Sequence, residues 1–429
     1  MVHGAAAMSE VSNATLSGRA EFARGWRLVL GCLLGVATGA AALPFYTAGS
    51  FVISFRREFG WTLSQLSFAA LASTFAVVLF APLTGLAIDR FGVRLPAAFG
   101  MAALSIGFAA LGSMSGAFEV YVLIILAMAI LALASSPISF TRAINANFSS
   151  ARGLALGLVL SGTGITAALA PPLVAGIIQD QGWRTAYFAM SALVALCLPI
   201  VFILLKDKSG ATALPDVAVP SQSAIGWRDL AGDPLFVRLA AVFFFLALGV
   251  SGFVLHLTPM LIDAGVEPLE AAGIQASLGA AVIAGRLGMG FLVDRFFAPR
   301  IAALLLSITL AGLIGFAAVG PAVAGLSAFT IGLALGAEVD LIGYLTARYF
   351  GLAAYGKLYG LLYGAFIIGV GFSPIVMARL QESQGSYTIA IWVCAGCVAT
   401  AIFCLATAPP FPAEPTLPAR ARRVIAGGG

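Results

Sequence analysis

The chain has 429 residues, 61% of them hydrophobic and only 10% charged, where a soluble domain carries about 25% charged residues. Its formal charge of +5 comes from basic residues scattered over short polar stretches, with no dense run beyond Arg420, Arg422 and Arg423. These properties exclude a large soluble domain and give no sign of nucleic-acid binding; they fit an all-α integral membrane protein whose first partner is the lipid bilayer.

Residues 1–24 are small and polar and are expected to form a cytoplasmic N-terminal tail. No charge occurs from Leu28 to Phe55, more than the roughly 20 apolar residues that a bilayer requires. Pro44 and the glycines at 35, 39 and 49 predict a tilted or broken first helix, which Arg56, Arg57 and Glu58 end. Further apolar segments follow at Leu63–Ala87, Leu95–Ser113, Val120–Thr141, Leu154–Ile178 and Thr185–Leu205. After a charged, proline-bearing interruption from Lys206 to Pro234 come Leu235–Ile262, Ala271–Val293, Ile301–Val319, Ala322–Leu345, Leu358–Met377 and Tyr387–Ala408. Backbone groups in lipid must be satisfied internally, so such runs are helices. The expectation is twelve transmembrane helices in two six-helix bundles, residues 25–205 and 235–408, joined by a cytoplasmic linker at 206–234. The tail at 409–429, rich in Pro, Ala and Arg, is expected to be disordered.

Orientation follows from counting lysine and arginine. With both termini in the cytoplasm, eighteen fall inside and four outside, leaving Arg286 alone within a helix. The five cysteines all lie in apolar runs, and Cys394-Ala-Gly-Cys397, although spaced like a redox or metal pair, has no histidine ligands near it and reads as helix packing. No phosphate-binding loop, dinucleotide fingerprint, metal cluster or nucleophilic triad is visible. No cofactor is expected, the chain does not read as an enzyme, and uphill movement of a solute would need an ion or exchange gradient.

One stretch occurs twice. Gly85-Leu-Ala-Ile-Asp89-Arg90-Phe91-Gly92-Val93-Arg94 returns 205 positions later as Gly290-Phe-Leu-Val-Asp294-Arg295-Phe296. A parallel repeat of two six-helix halves is a transporter architecture in which substrate binds between the halves and the halves rock about it. Gly85, Asp89, Arg90, Gly92, Arg94, Asp294 and Arg295, with Arg142 near the inner end of the fourth segment, are therefore candidates for a cytoplasmic gate.

The Gly-x-x-x-Asp-Arg-x-Gly-x-Arg loop resembles the signature of the major facilitator superfamily. A narrower resemblance is to the bacterial members of the monocarboxylate transporter family and to the related oxalate–formate exchangers. It rests on Phe59-Gly60-Trp61, Phe140-Thr141-Arg142, Ala151-Arg152-Gly153-Leu154, Gly182-Trp183-Arg184, His256-Leu-x-Pro259, Gly285-Arg286-Leu-Gly288 and the run from Glu338 to Phe350. The resemblance implies that the helix-eight arginine, here Arg286, binds a substrate carboxylate. Two family features are absent: Phe45 stands where some members carry a lysine after the helix-one proline, and Val282 where some carry an acid four residues before the arginine.

Arg286 stands out without the family. The repeat aligns it with Ala81, so the fold does not demand an arginine there. It lies eight residues before Asp294, about 12 Å from the helix end, and a charge at that depth costs roughly 2.5–3.5 kcal/mol on insertion. Its planar fork suits a carboxylate. Glu338 and Asp340 are the only acids deep in a helix. Asp340 precedes Arg348 by eight residues and so lies at the depth of Arg286, where an acid able to pair with the arginine makes a proton-coupling element. The two acids sit roughly 200° apart around the helix, so one cavity should not receive both. Tyr46 and Ser50 on one face of the first helix, His256 before Pro259, and Tyr363 on the eleventh helix are further candidates for substrate contact.

The expected function is secondary transport of a small organic monocarboxylate by alternating access, with protons or a counter-anion as the coupled species. The protein is expected to work as a monomer in a bacterial inner membrane. The alternatives are proton-driven export of drugs or siderophore-like compounds and organic-anion exchange.

Overall fold

The computed structural model describes residues 18–148, 151–205, 232–293, 295–351 and 355–412. The expected linker from Lys206, both outer tails and Asp294 lie wholly or largely outside these residues. In chain order the first half holds α1 (Gly18–Thr38), α2 (Leu43–Phe59), α3 (Leu63–Phe91), α4 (Arg94–Ser113), α5 (Phe118–Leu131), α6 (Pro137–Asn147), α7 (Arg152–Gln181) and α8 (Trp183–Leu204). The second holds α9 (Pro234–Val250), α10 (Gly252–Asp263), α11 (Pro268–Val293), α12 (Ala298–Val319), α13 (Ala324–Phe350), α14 (Tyr355–Gln384) and α15 (Thr388–Ala406). Among the described residues the regular elements are helices alone.

Ten helical stretches are long and apolar enough to cross a membrane. One of them, Ala298–Phe350, runs through α12 and α13 and so contains two of the expected segments, while Phe118–Leu131 is apolar but short. The helix ends obey local chemistry. Thr62 and Gln65 form a reciprocal cap on α3, with Thr62 Oγ1 accepting from the Gln65 N–H at 3.1 Å and Gln65 Oε1 accepting from the Thr62 N–H at 2.9 Å. Gly92 closes α3 with a φ of 76°, which only glycine adopts without strain.

Three expected segments are broken, and their freed backbone groups find partners in protein. The first breaks between α1 and α2 where Gly39 and Pro44 predict it. The fourth breaks at a 3₁₀ turn, Leu133–Ser135, followed by Pro137 at the start of α6. The two breaks meet: the Ala40 N–H donates to the Ser135 carbonyl at 3.3 Å, and a Cβ added to Gly39 would lie 2.0 Å from that same oxygen. The seventh breaks at Ser251, where the Gly252 N–H donates to Ser373 Oγ at 2.8 Å and that hydroxyl donates to the Leu248 carbonyl at 2.6 Å.

Two boundaries differ from expectation. Helix α1 begins at Gly18, inside the expected tail of residues 1–24, and its Glu21 carboxylate accepts the Ala151 backbone N–H at 2.7 Å. The C-terminal tail does not leave the bundle at Pro409: the Phe411 ring packs 4.9 Å from both Phe297 and Tyr349, and Tyr349 donates to the Pro409 carbonyl. Aromatic burial there outweighs the chain entropy that a disordered start would keep.

Candidate functional site

Arg286 sits on α11 at the junction of the two halves. Its Nε lies 3.2 Å from Asp340 Oδ2 on α13, in its own half. Its Nη1 reaches the other half, donating to the Leu160 carbonyl at 2.7 Å and to Thr163 Oγ1 at 3.3 Å, both on α7. The Nε–H is not aimed at the Asp340 oxygen, so the pair is a close ion contact without an aligned hydrogen bond. The arginine side chain is 13% exposed and the aspartate 38%, so the carboxylate faces an opening that the guanidinium itself scarcely sees.

Close backbone approach puts the pair together. A Cβ added to Gly285 would lie 2.2 Å from the Leu333 carbonyl, one on Gly332 2.2 Å from the Leu278 carbonyl, and one on Gly336 2.2 Å from the Val282 carbonyl. Helices α11 and α13 thus touch through glycines spaced four apart on α13, a packing device of membrane helices. The shared eight-residue spacing, Arg286 before Asp294 and Asp340 before Arg348, becomes a contact because the two helices run side by side.

Glu338 is buried, and its Oε2 has no hydrogen-bond partner. It lies within electrostatic reach of Arg286, of Tyr46 on α2 and of Tyr363 on α14. The angular separation of the two acids therefore decides exposure, with Asp340 half open and Glu338 enclosed, but Arg286 stands near enough to sense both. Tyr46 senses Arg286 as well as Glu338. Ser50, one turn further along α2, holds a buried hydroxyl with no partner. Tyr363 is 37% exposed although it stands beside these enclosed groups, so it lines an internal opening. Arg286, Asp340, Glu338, Tyr46 and Tyr363 form one cluster.

His256 does not join them. It is fully enclosed on α10, with Nε2 2.9 Å from the Pro374 carbonyl and 3.3 Å from Ser67 Oγ, and Nδ1 3.1 Å from the Tyr387 hydroxyl. Ser67 belongs to the first half and the other partners to the second, so His256 is part of a seam between the halves. More of that seam was not foreseen. Arg56 Nη1 pairs with Asp263 at 3.0 Å. Glu382 accepts the Ser64 N–H at 2.8 Å and the Ser64 hydroxyl at 2.5 Å, so a carboxylate of one half caps α3 of the other. Gln275 donates to the Tyr46 carbonyl at 3.2 Å, and Gln179 to Glu267 at 3.3 Å. No spacing in the chain marks these partners, because each contact joins positions far apart in sequence.

The candidate gate residues stand at the opposite end and bond within their own halves. Arg142 pairs with Asp89. Arg94 Nε donates to the Phe202 carbonyl at 2.7 Å, with its guanidinium 3.9 Å over the Phe202 ring. Arg90 lies over Phe91 and Arg295 over Phe291. A Cβ added to Gly85 would meet nothing within 4 Å. The bonds between the halves described above lie at Arg286 and toward the Arg56 end, whereas Gly85, Gly157 and Gly290 face open space toward the Asp89 end, so these contacts hold the Arg56 end closed and leave the Asp89 end the more open. An apolar cavity of about 430 Å³ between α3, α4 and α5 contains none of the cluster residues and no ionisable group.

The comparisons agree with this architecture. Residues 34–351 match the Major Facilitator Superfamily profile. The chain is 24% identical over 420 residues to monocarboxylate transporter 12 of Mus musculus, covering 90% of this chain and 86% of that one. It is 28% identical over 383 residues to monocarboxylate transporter 13 of Bos taurus, covering 87% and 86%. Among solved structures it resembles the D-xylose–proton symporter, with a TM-score of 0.71, 14% identity and coverage of 92% and 99%. It also resembles a bacterial homologue of the human lysosomal transporter Spinster in an inward-facing, occupied conformation, with a TM-score of 0.67, 16% identity and coverage of 90% and 95%. The chain is an all-helical integral membrane transporter that belongs to the Major Facilitator Superfamily.

Proposed function

We propose that the protein moves a small organic monocarboxylate together with a proton by alternating access. In this reading the chain crosses a bacterial inner membrane twelve times as a monomer, counting the broken first, fourth and seventh segments as one span each, and both termini lie in the cytoplasm. The open Asp89 end is then cytoplasmic and the closed Arg56 end external.

The observation that carries the reading is Arg286, held between an acid of its own half and a carbonyl of the other. A guanidinium offers more donors than Leu160 and Thr163 use, and a substrate carboxylate arriving from the open end can take the place of Asp340 on it. Asp340, released from its cation in a site of low dielectric, accepts a proton from the open side. Anion and proton then move together with little net charge. When the substrate leaves, Asp340 gives up the proton and pairs again with Arg286. Glu338 supplies a second acid within reach of the same arginine. The curated relatives, named as monocarboxylate transporters, support the substrate class.

The test is uptake of labelled carboxylates into proteoliposomes holding the purified chain, with and without an inward proton gradient. Symport requires that the gradient raise uptake of at least one monocarboxylate. Uptake that ignores the gradient but needs carboxylate inside the vesicle would establish exchange instead.

A further inference from the structure

We propose that the transported acid carries an aromatic ring, which Tyr359 and Tyr363 on α14 read while Arg286 holds the carboxylate. The inference rests on the monocarboxylate reading above and narrows its substrate class. Tyr355, Tyr359, Tyr363 and Phe366 form one ladder on α14. Successive ring centroids lie 5.6, 5.8 and 5.6 Å apart, and the Tyr359 and Tyr363 planes are parallel to within 8°. From Tyr355 to Tyr363 the ladder climbs about 12 Å, from the open end up to the charged cluster.

The ladder faces that cluster. Tyr363 lies within electrostatic reach of Glu338 and Tyr359 within that of Asp340. A Cβ on Gly343, one turn beyond Asp340 on α13, would lie 3.0 Å from the Tyr355 hydroxyl and 3.8 Å from the Tyr359 ring. Among the described residues none of the three tyrosine hydroxyls makes a hydrogen bond, whereas Tyr344 and Tyr349 donate to the carbonyls of Val293 and Pro409. Gly360 and Gly364, each next to a ring residue along the chain and flanking the ladder, leave open space where a side chain would stand. Parallel ring faces, free hydroxyls and flanking room together make a flat slot beside an anion anchor.

A short aliphatic acid needs Arg286 but gains little from such a wall. A flat ring extends the stack in an offset or edge-on geometry, which adds to the effect of area burial alone. The slot therefore discriminates between ring types and not merely between sizes.

The decisive comparison is benzoate against cyclohexanecarboxylate, two acids of similar size of which only one is aromatic. Uptake of both labelled acids is measured with the purified full chain in proteoliposomes. Benzoate is expected to be favoured about tenfold in uptake per unit concentration. In Tyr359→Leu/Tyr363→Leu the preference should fall toward unity, while Tyr359→Phe/Tyr363→Phe, which keeps the rings, should retain it. Equal uptake of the two acids, or a preference that survives in the leucine variant, overturns the aromatic assignment and leaves the monocarboxylate reading standing. Uptake of neither acid, nor of acetate or pyruvate, overturns both. If the leucine variant fails to reach the membrane, loss of the preference in Gly364→Leu, which fills the slot from α14 itself, supports the assignment and its persistence there overturns it.

Discussion

Helices α7 and α11 face each other between the halves, and the crossing toward the Arg56 end differs from the potential crossing toward the Asp89 end. Toward the Arg56 end, a Cβ on Gly164 would lie 2.4 Å from Ile283 and one on Gly279 2.1 Å from the Ala168 nitrogen. Toward the Asp89 end, Gly157 and Gly290, on the same faces of their helices, would carry a Cβ that meets nothing within 4 Å. The same contrast separates Gly49, whose Cβ would lie 2.8 Å from the Leu255 carbonyl of the other half, from Gly85, which faces open space. Small residues thus stand at both ends, but only one end uses them in this conformation. Arg286, between the two crossings, holds both halves at once. A rocking transporter needs both surfaces, one for each closed state.

Among changes that test this contrast, overfilling the closed crossing should have the largest effect. Gly279→Leu places a side chain where backbone already stands, and overpacking costs about 1–3 kcal/mol. Uptake is expected to fall by roughly tenfold to a hundredfold. In a chain otherwise free of cysteine, Ser67→Cys should become reactive to an impermeant thiol reagent once that variant is present. Gly157→Leu sharpens the comparison from the other side. It fits the present conformation and obstructs only closure of the open end, so uptake should fall while Ser67→Cys keeps its original protection. If both leucine variants expose Ser67→Cys alike, the two crossings are not alternatives.

Smaller changes weaken the seam without blocking it. His256→Ala removes hydrogen bonds to Pro374, Ser67 and Tyr387 from an enclosed site, and a buried group left unpaired costs about 1–3 kcal/mol. The variant should raise Ser67→Cys labelling about tenfold. Arg56→Ala should do least, because its pair with Asp263 is about one-third exposed on both sides, and such pairs contribute about 0.2–1 kcal/mol. Its labelling should rise less than fivefold and approach that of the unaltered seam in high salt.

Much of the fold was legible because lipid allows so few structures. Uninterrupted apolar runs had to be helices, and Gly39 with Pro44 announced the first break. The breaks at Ser135 and Ser251 were not announced, since their carbonyls and N–H groups are satisfied by other helices. The pairing of Arg286 with Asp340 could be read from depth, as each lies eight residues before a charged residue at the inner end of its segment, Asp294 and Arg348. The hold of Arg286 on Leu160 could not, because a main-chain carbonyl leaves no mark in the residue types. His256 reads from the sequence as a candidate for substrate contact, and it sits in a closed seam. Its three partners come from sequence separations of 118 to 189 residues, and only the packed halves bring them together. Glu382 was missed because an acid near a helix end looks like ordinary surface charge until the partner helix is in place. Of the second-half turn, Asp294 lies outside the described residues, and Arg295 lies over the Phe291 ring of its own half.

The central claim is that Arg286 is both the link between the halves and the anchor for a carboxylate. The direct measurement is carboxylate uptake by Arg286→Ala in proteoliposomes, normalised to the amount of folded protein in the membrane. The account predicts a loss of more than a hundredfold, with Arg286→Lys falling between the two because an ammonium cannot offer the planar fork. Uptake near that of the unaltered chain, at equal protein, would contradict it.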